Sequence, residues 1–295
     1  MENYRVLLFY KYVTFSEPEK FVEDHIVFCK SNGILGRVWI SYEGINATVS
    51  GLLENVELYK HEIKRYNEFS DVWFKEDKYS SHAFKKIHVR FKKEIVNSSF
   101  GSIDLTKTAT KIDPHYLNEL YESRKDFLII DARNEYESRI GKFKNAITPQ
   151  LKTFRDWPDF VDSLKGLENK TIITYCTGGI RCEKASAYLI EKGFKDVYQI
   201  NGGIWNYINE YPDKFWEGSM FVFDERRIIT PNEKEELKHI GKCHFCGTAT
   251  SYYINCHNQN CDIILLTCDE CKTKNDYCCS ESCKRSKNQR PVFHG

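Results

Sequence analysis

Thr171-Ile172-Ile173-Thr174-Tyr175-Cys176-Thr177-Gly178-Gly179-Ile180-Arg181-Cys182 runs from an apolar strand, through a pair of glycines, to an arginine and on into the helix-forming stretch 183–192. A strand that ends on a cysteine and turns directly into a helix sets the sulfur among backbone N–H groups at the positive end of a helix dipole. Both favour the thiolate, so Cys176 is expected to ionise below the free-thiol range. Gly178 and Gly179 let the loop curl closely around the sulfur, and Arg181 adds a permanent positive charge. Cys176 and Arg181 are therefore the expected catalytic pair, with Thr177, Gly178, Gly179 and Ile180 forming the active-site loop. An inert, buried cysteine would leave the glycine pair and the arginine unexplained. A phosphatase loop would need five residues between cysteine and arginine; here there are four, and the fifth-spaced position is Cys182. The smaller cradle suits a single sulfur atom better than a phosphoryl group.

Outward from this loop the elements alternate. Residues 114–219 read as helix, strand (127–131), loop, helix, strand (170–175), the cysteine turn, helix and strand (197–200), which implies a parallel sheet with helices on both faces. Residues 1–93 read as strand (6–13), helix, a hairpin of 36–40 and 45–49 around Ser41-Tyr42-Glu43-Gly44, a second helix and a final strand (86–91). That order is the ferredoxin-like α+β arrangement. Residues 94–113, polar and broken by Asn97-Ser98-Ser99-Phe100-Gly101, read as a linker, and 220–295 as a small cysteine-rich region. Cys29 falls among apolar helix residues and reads as core.

With 295 residues, 41% hydrophobic and 29% charged, the chain has room for two or three domains with real cores. A net charge of +1 argues against a globally basic nucleic-acid binder. No apolar stretch approaches membrane-spanning length, and Met1-Glu2-Asn3-Tyr4 lacks a signal-peptide pattern, so a cytoplasmic protein without membrane partners is expected. Of 12 cysteines, nine crowd into 243–283. In a reducing compartment this reads as metal binding. The pairs are Cys243/Cys246, Cys256/Cys261, Cys268/Cys271 and Cys279/Cys283, enough for two tetrahedral sites of structural zinc. Cross-braced and sequential pairings both remain open; Cys278 is spare, and His244 and His257 are alternative ligands.

The loop resembles a rhodanese active site. Asp131-Ala132-Arg133 with Glu135 and Glu137, and Asn201-Gly202-Gly203-Ile204-Trp205, are similar to two further rhodanese motifs, and the resemblance implies sulfane sulfur carried as a persulfide on Cys176. Tyr42-Glu43-Gly44-Ile45-Asn46, 175–185 and Phe221-Val222-Phe223-Asp224-Glu225-Arg226 extend it: nearly the whole chain resembles the bacterial tRNA uridine(34) hydroxylase family. That resemblance implies oxidation of the wobble uridine of tRNA to 5-hydroxyuridine, with molecular oxygen as co-substrate; a sulfur donor is a further expected partner, and no organic cofactor is evident. A plain sulfurtransferase is the alternative, and an inert rhodanese scaffold with a zinc module is a third reading. Asp131 and Arg133, at a strand end, are pocket candidates, although a structural ion pair explains them as well. Cys182 either packs under the helix or resolves a persulfide. Lys85, Lys86, Arg90, Lys92 and Lys93, interleaved with His88 and Phe91, are the expected RNA contacts, against the plainer reading of a solvated strand edge.

Overall fold

Along Tyr4–Tyr12 side chains alternate between two faces, and both faces are used. In the computed structural model, which describes residues 3–101, 103–231 and 238–291, this strand is β1. It is followed by α1 (Pro18–Ser31), β2 (Leu35–Ser41), β3 (Gly44–Leu52), α2 (Leu53–Lys64), β4 (Lys75–Tyr79) and β5 (Ile87–Phe91). The sheet order is β4-β1-β3-β2-β5, antiparallel except that β5 lies parallel to β2. Leu7 and Phe9 of β1 join Phe21 and Cys29 of α1 and Val56, Tyr59 and Ile63 of α2 in one buried core. Leu8 and Tyr10 point the other way, towards the second domain.

The ferredoxin-like arrangement is present with one change of strand. The fourth strand of the motif is Lys75–Tyr79, beside β1, and the expected final strand, 86–91, is instead an extra edge strand beside β2. Lys75-Glu76-Asp77-Lys78-Tyr79 carries no apolar alternation because its buried side serves contacts between domains rather than a core.

The second sheet is built from β6 (Thr110–Ile112), α3 (Pro114–Glu122), β7 (Leu128–Asp131), α4 (Glu135–Ser138), β8 (Gly141–Phe143), α5 (Trp157–Asp162), β9 (Thr171–Tyr175), α6 (Ile180–Glu191), β10 (Asp196–Ile200) and α7 (Gly203–Glu210). Its order is β6-β10-β9-β7, all parallel. Ile172 of β9 packs with Trp157 of α5 and Leu189 of α6, whereas Ile173 packs with Leu117 of α3 and Ile204 of α7, so helices cover both faces. Residues 94–113, expected as a linker, include β6, which closes the sheet edge, and the buried Ile95, Val96 and Ala109.

The chain then adds β11 (Trp216–Gly218) to β8, and a strap of β12 (Met220–Phe221) and β13 (Ile228–Ile229). The cysteine-rich region contains β14 (Tyr253–Asn255), β15 (Ile264–Leu266), α8 (Asp269–Lys274) and α9 (Glu281–Lys284). Tyr253 and Leu266 pack against Ile140 and Phe221, joining this region to the parallel-sheet domain. No helix among the described residues is long and apolar enough to cross a membrane.

Candidate active site

Cys176 directly follows β9, and α6 begins at Ile180, three residues earlier than the stretch read from sequence, so the helix N-terminus lies directly at the loop. The Gly179 N–H donates to Cys176 Sγ at 3.2 Å. Gly179 takes φ +101, a left-handed conformation suited to glycine, and a Cβ there would stand 2.9 Å from the Tyr10 hydroxyl. The carbonyls of the loop are used elsewhere. Ile204 N–H donates to Cys176 O and Trp205 N–H to Thr177 O, both at 3.0 Å, so the Gly202-Gly203 turn holds the loop from behind.

Burial acts on the Cys176 thiol in the direction of a higher pKa. The hydrogen bond from Cys182, the Arg181 charge, and the backbone N–H groups of Arg181 and Gly179 act the other way and win, lowering it to about 6. Cys182 is fully buried and shifts upward, through burial and its hydrogen bond to Cys176. It packs at the helix start as a protonated donor to the thiolate. Arg181 is held by a bidentate pair with the buried Glu137, at 2.6 and 2.8 Å. Its guanidinium is thus fixed in orientation while its charge reaches the sulfur.

Asp131 and Arg133 lie away from this centre. They form a fully buried ion pair of 2.6 Å, and Arg133 also donates to Gly141 O and lies over the Tyr175 and Trp216 rings. Neither lines the cavity described next, so as pocket candidates they are replaced by the structural pair that sequence also allowed. Their side chains turn into the sheet interior because Arg133 Nε and Nη2 lock the Asp131 carboxylate there.

Cys176 has no solvent-exposed surface. Its residue instead lines a cavity of about 360 Å³ between the two sheets. Leu8, Tyr10, Trp39, Thr48 and Phe84 come from the N-terminal domain; Thr177, Gly178, Arg181, Phe154 and Arg155 come from the parallel-sheet domain; Met220, Val222, Phe223 and Arg226 come from the strap. Thr177 Oγ1 is buried on this wall without a hydrogen-bond partner among the described residues. The motifs singled out in the sequence hold these three parts together. Glu43 accepts from the Ile95 N–H at 2.7 Å and pairs with Lys184 of α6 at 3.0 Å, and Lys184 also pairs with Glu94 at 3.0 Å. Asp77 of β4 accepts from Trp205 Nε1 and from Arg226 Nη1, each at 2.7 Å. Tyr10 donates to the buried Glu183 at 2.9 Å. Sequence reasoning missed Tyr10, Asp77, Lys184 and Trp39 as parts of the site's frame, because no local pattern marks a docking residue.

Comparison with known proteins agrees with this three-part layout. Family models match the UPF0176 acylphosphatase-like domain over residues 4–95, the rhodanese-like domain over 113–210 and the rhodanase C-terminal region over 217–284. A tRNA uridine(34) hydroxylase of Acholeplasma laidlawii is 42% identical over 99% of this chain and 92% of its own. One from Staphylococcus haemolyticus is 43% identical over 98% and 92%. The chain belongs to the tRNA uridine(34) hydroxylase family. A solved rhodanese-like domain from Anabaena sp. is 22% identical over 38% of this chain and 80% of that one, with a TM-score of 0.32.

In this hydroxylase-family chain the cysteine-rich region forms two quartets, Cys243/Cys246/Cys268/Cys271 and Cys256/Cys261/Cys279/Cys283, each with its ligand atoms within 4.8 Å of one another. The pairing is cross-braced, first pair with third and second with fourth. Four sulfurs bound to a tetrahedral ion at about 2.3 Å would stand about 3.8 Å apart. The Cys246–Cys268 and Cys261–Cys279 separations are each 3.7 Å, so both quartets fit a metal ion. Cys278 lies outside them, beside Gln289, and neither His244 nor His257 joins a quartet. The expected RNA contacts gather on β5 and its flanks. Lys85, Lys86, Arg90 and Lys93 are exposed, Lys92 lies over the Trp39 ring, and Lys85 stands 3.5 Å from Glu225. The exposed rings of Tyr42 and Phe91 meet edge-to-face beside them.

Proposed function

We propose that this chain hydroxylates uridine 34 of tRNA to 5-hydroxyuridine, with molecular oxygen as co-substrate and Cys176 as the reacting sulfur. One observation carries the reading. Cys176, with its pKa lowered to about 6, lines a half-open cavity of about 360 Å³, a volume ordinary for small-molecule sites, in a chain whose relatives bear that name. The thiolate, or a persulfide on it, adds to C6 of the uracil ring, the electron pair displaced to C5 makes that carbon the site of oxygen attack, and loss of the C5 proton then expels the sulfur from C6 and restores the ring double bond. Insertion of one oxygen atom from O2 releases the other as water and consumes two protons and two electrons, the electrons coming from an external thiol reductant that is oxidised to its disulfide. Arg181, oriented by Glu137, holds the sulfur anionic, while the free Thr177 hydroxyl faces the bound base.

Lys85, Lys86, Arg90, Lys92 and Lys93 supply charge for the RNA backbone, and Tyr42 and Phe91 supply stacking faces beside them. Zinc in the two quartets has a structural role: each set is four thiolates, with no open position for substrate. It braces the region that packs on Phe221 and so steadies the strap side of the cavity.

The test is nucleoside mass spectrometry of tRNA from cells that lack this chain, complemented with wild type or Cys176→Ser. Wild type restores 5-hydroxyuridine and its derivatives, and the variant does not. Restoration by Cys176→Ser, or a loss of thiolated nucleosides in place of hydroxylated ones, sinks the reading; the second outcome installs sulfur transfer instead.

A further inference from the structure

A second cavity, of about 350 Å³, lies beside the first and shares Tyr10 as a wall. Three lysines and two carboxylates line it. Lys11 pairs with Asp71, and Lys111 pairs with Glu183 at 2.8 Å. Lys75 is 2% exposed and has no ion pair or hydrogen bond among the described residues. Its ammonium instead lies 4.4 Å from the Trp73 ring centroid and 5.3 Å from that of Tyr10. A buried ammonium that rests on ring faces without a direct ion pair is costly, and the charges of Cys176 and Glu183 favour it without pairing with it directly. Trp73 is 47% exposed and packs edge-to-face on Trp205, which lines the Cys176 cavity. The pocket therefore offers a buried ammonium with no direct ion pair and a half-exposed indole, beside the reacting centre. Phosphate and an unpaired base have that combination of properties.

We propose that this cavity binds the nucleotide adjacent to the target uridine, with its phosphate on Lys75 and its base against Trp73. The inference rests on the tRNA reading above. It adds a subsite that anchors the anticodon strand on the far side of Tyr10, so that the strand runs past Tyr10 and only one base reaches Cys176. Burial lowers the Lys75 pKa to about 8, and a bound phosphate would hold it charged.

The probe is an anticodon stem-loop RNA containing uridine 34, titrated against wild type, Trp73→Ala and Lys75→Met. The half-exposed Trp73 can be truncated without opening a core. Lys75→Met keeps the length of the stem while removing a charge that has no direct ion pair, and thermal melting checks both folds. Trp73→Ala should weaken binding about tenfold. Lys75→Met should flatten the slope of log affinity against log salt by about 0.7, the share of one single-strand phosphate. Wild type, but not Lys75→Met, should lose affinity when the phosphates flanking uridine 34 are replaced by neutral methylphosphonates. Wild-type affinity and slope in both variants, or indifference of the wild type to the neutral linkages, overturns the subsite. Competition by inorganic phosphate, with the RNA isotherms unchanged in both variants, also overturns it and marks a free-oxyanion site. If the wild type fails to make 5-hydroxyuridine, the functional reading falls alone, since these isotherms are read without turnover.

Discussion

The balance at Cys176 is set by opposed effects of unequal size. Burial alone would make this sulfur inert, yet its partners bring the pKa to about 6, so the thiolate dominates at neutral pH. The folded state thus binds its proton less tightly than the unfolded chain, whose thiols titrate near 8.5. By linkage the thiolate contributes stability that is fully present above the unfolded value and is lost as pH falls towards about 6. The difference in thiolate ultraviolet absorbance between wild type and Cys176→Ser should therefore show a midpoint near pH 6; a midpoint in the ordinary thiol range would contradict the geometry. Sequence reveals the cysteine, the glycines and the arginine because they are neighbours in the chain and their chemistry is local. It does not reveal that Arg181 is spent on Glu137, 44 residues away, or that Asp131 and Arg133 are spent on each other. Identical residue types suit a pocket wall and a buried pair, and only the fold separates the two.

At the scale of elements, two glycines of similar appearance have different costs. A Cβ on Gly203 would fall 2.3 Å from Cys176 O, with φ at +66, whereas a Cβ on Gly178 would meet only the flexible Leu8 Cδ2 at 2.9 Å. Gly203→Ala should therefore displace the loop, cost about 1–3 kcal/mol in a denaturant titration and raise the Cys176 midpoint. Gly178→Ala should cost less than 1 kcal/mol by the same measurement, about the scale of a small repacking. Equal losses in the two would show that the Asn201-to-Trp205 turn does not support the loop. Strands with a hydrophobic rhythm, β1, β2, β3, β7 and β9, were legible, as was the hairpin around Tyr42-Glu43. β4 was not. Its Lys75 and Asp77 are turned towards other domains, so polarity where a core residue would be expected concealed a strand whose task is docking.

For the molecule as a whole, the site exists only where three regions meet. Asp77 takes one hydrogen bond from Trp205 and another from Arg226, and so ties the first sheet to both later parts. Asp77→Ala leaves those two donors unpaired and loosens the junction at a cost of about 1–3 kcal/mol. Because the docked parts leave Cys176 without solvent-exposed surface, its alkylation by a small neutral reagent should accelerate in Asp77→Ala. An unchanged rate would mean that Asp77 does not hold the three parts tightly around Cys176. Domain order and the cysteine pairs could be read from sequence, since each is written in a contiguous run. The cavity could not, because its walls come from residues as far apart as Leu8 and Ile229.

That spread in chain position has a consequence for biosynthesis. During translation the nucleophile emerges after the walls from the N-terminal domain but before the strap, so the nascent polypeptide passes through an interval in which the cavity lacks one side. Closing that side is then among the last events of maturation, and a truncated product ending before residue 220 would carry the nucleophile in a cavity without its strap wall.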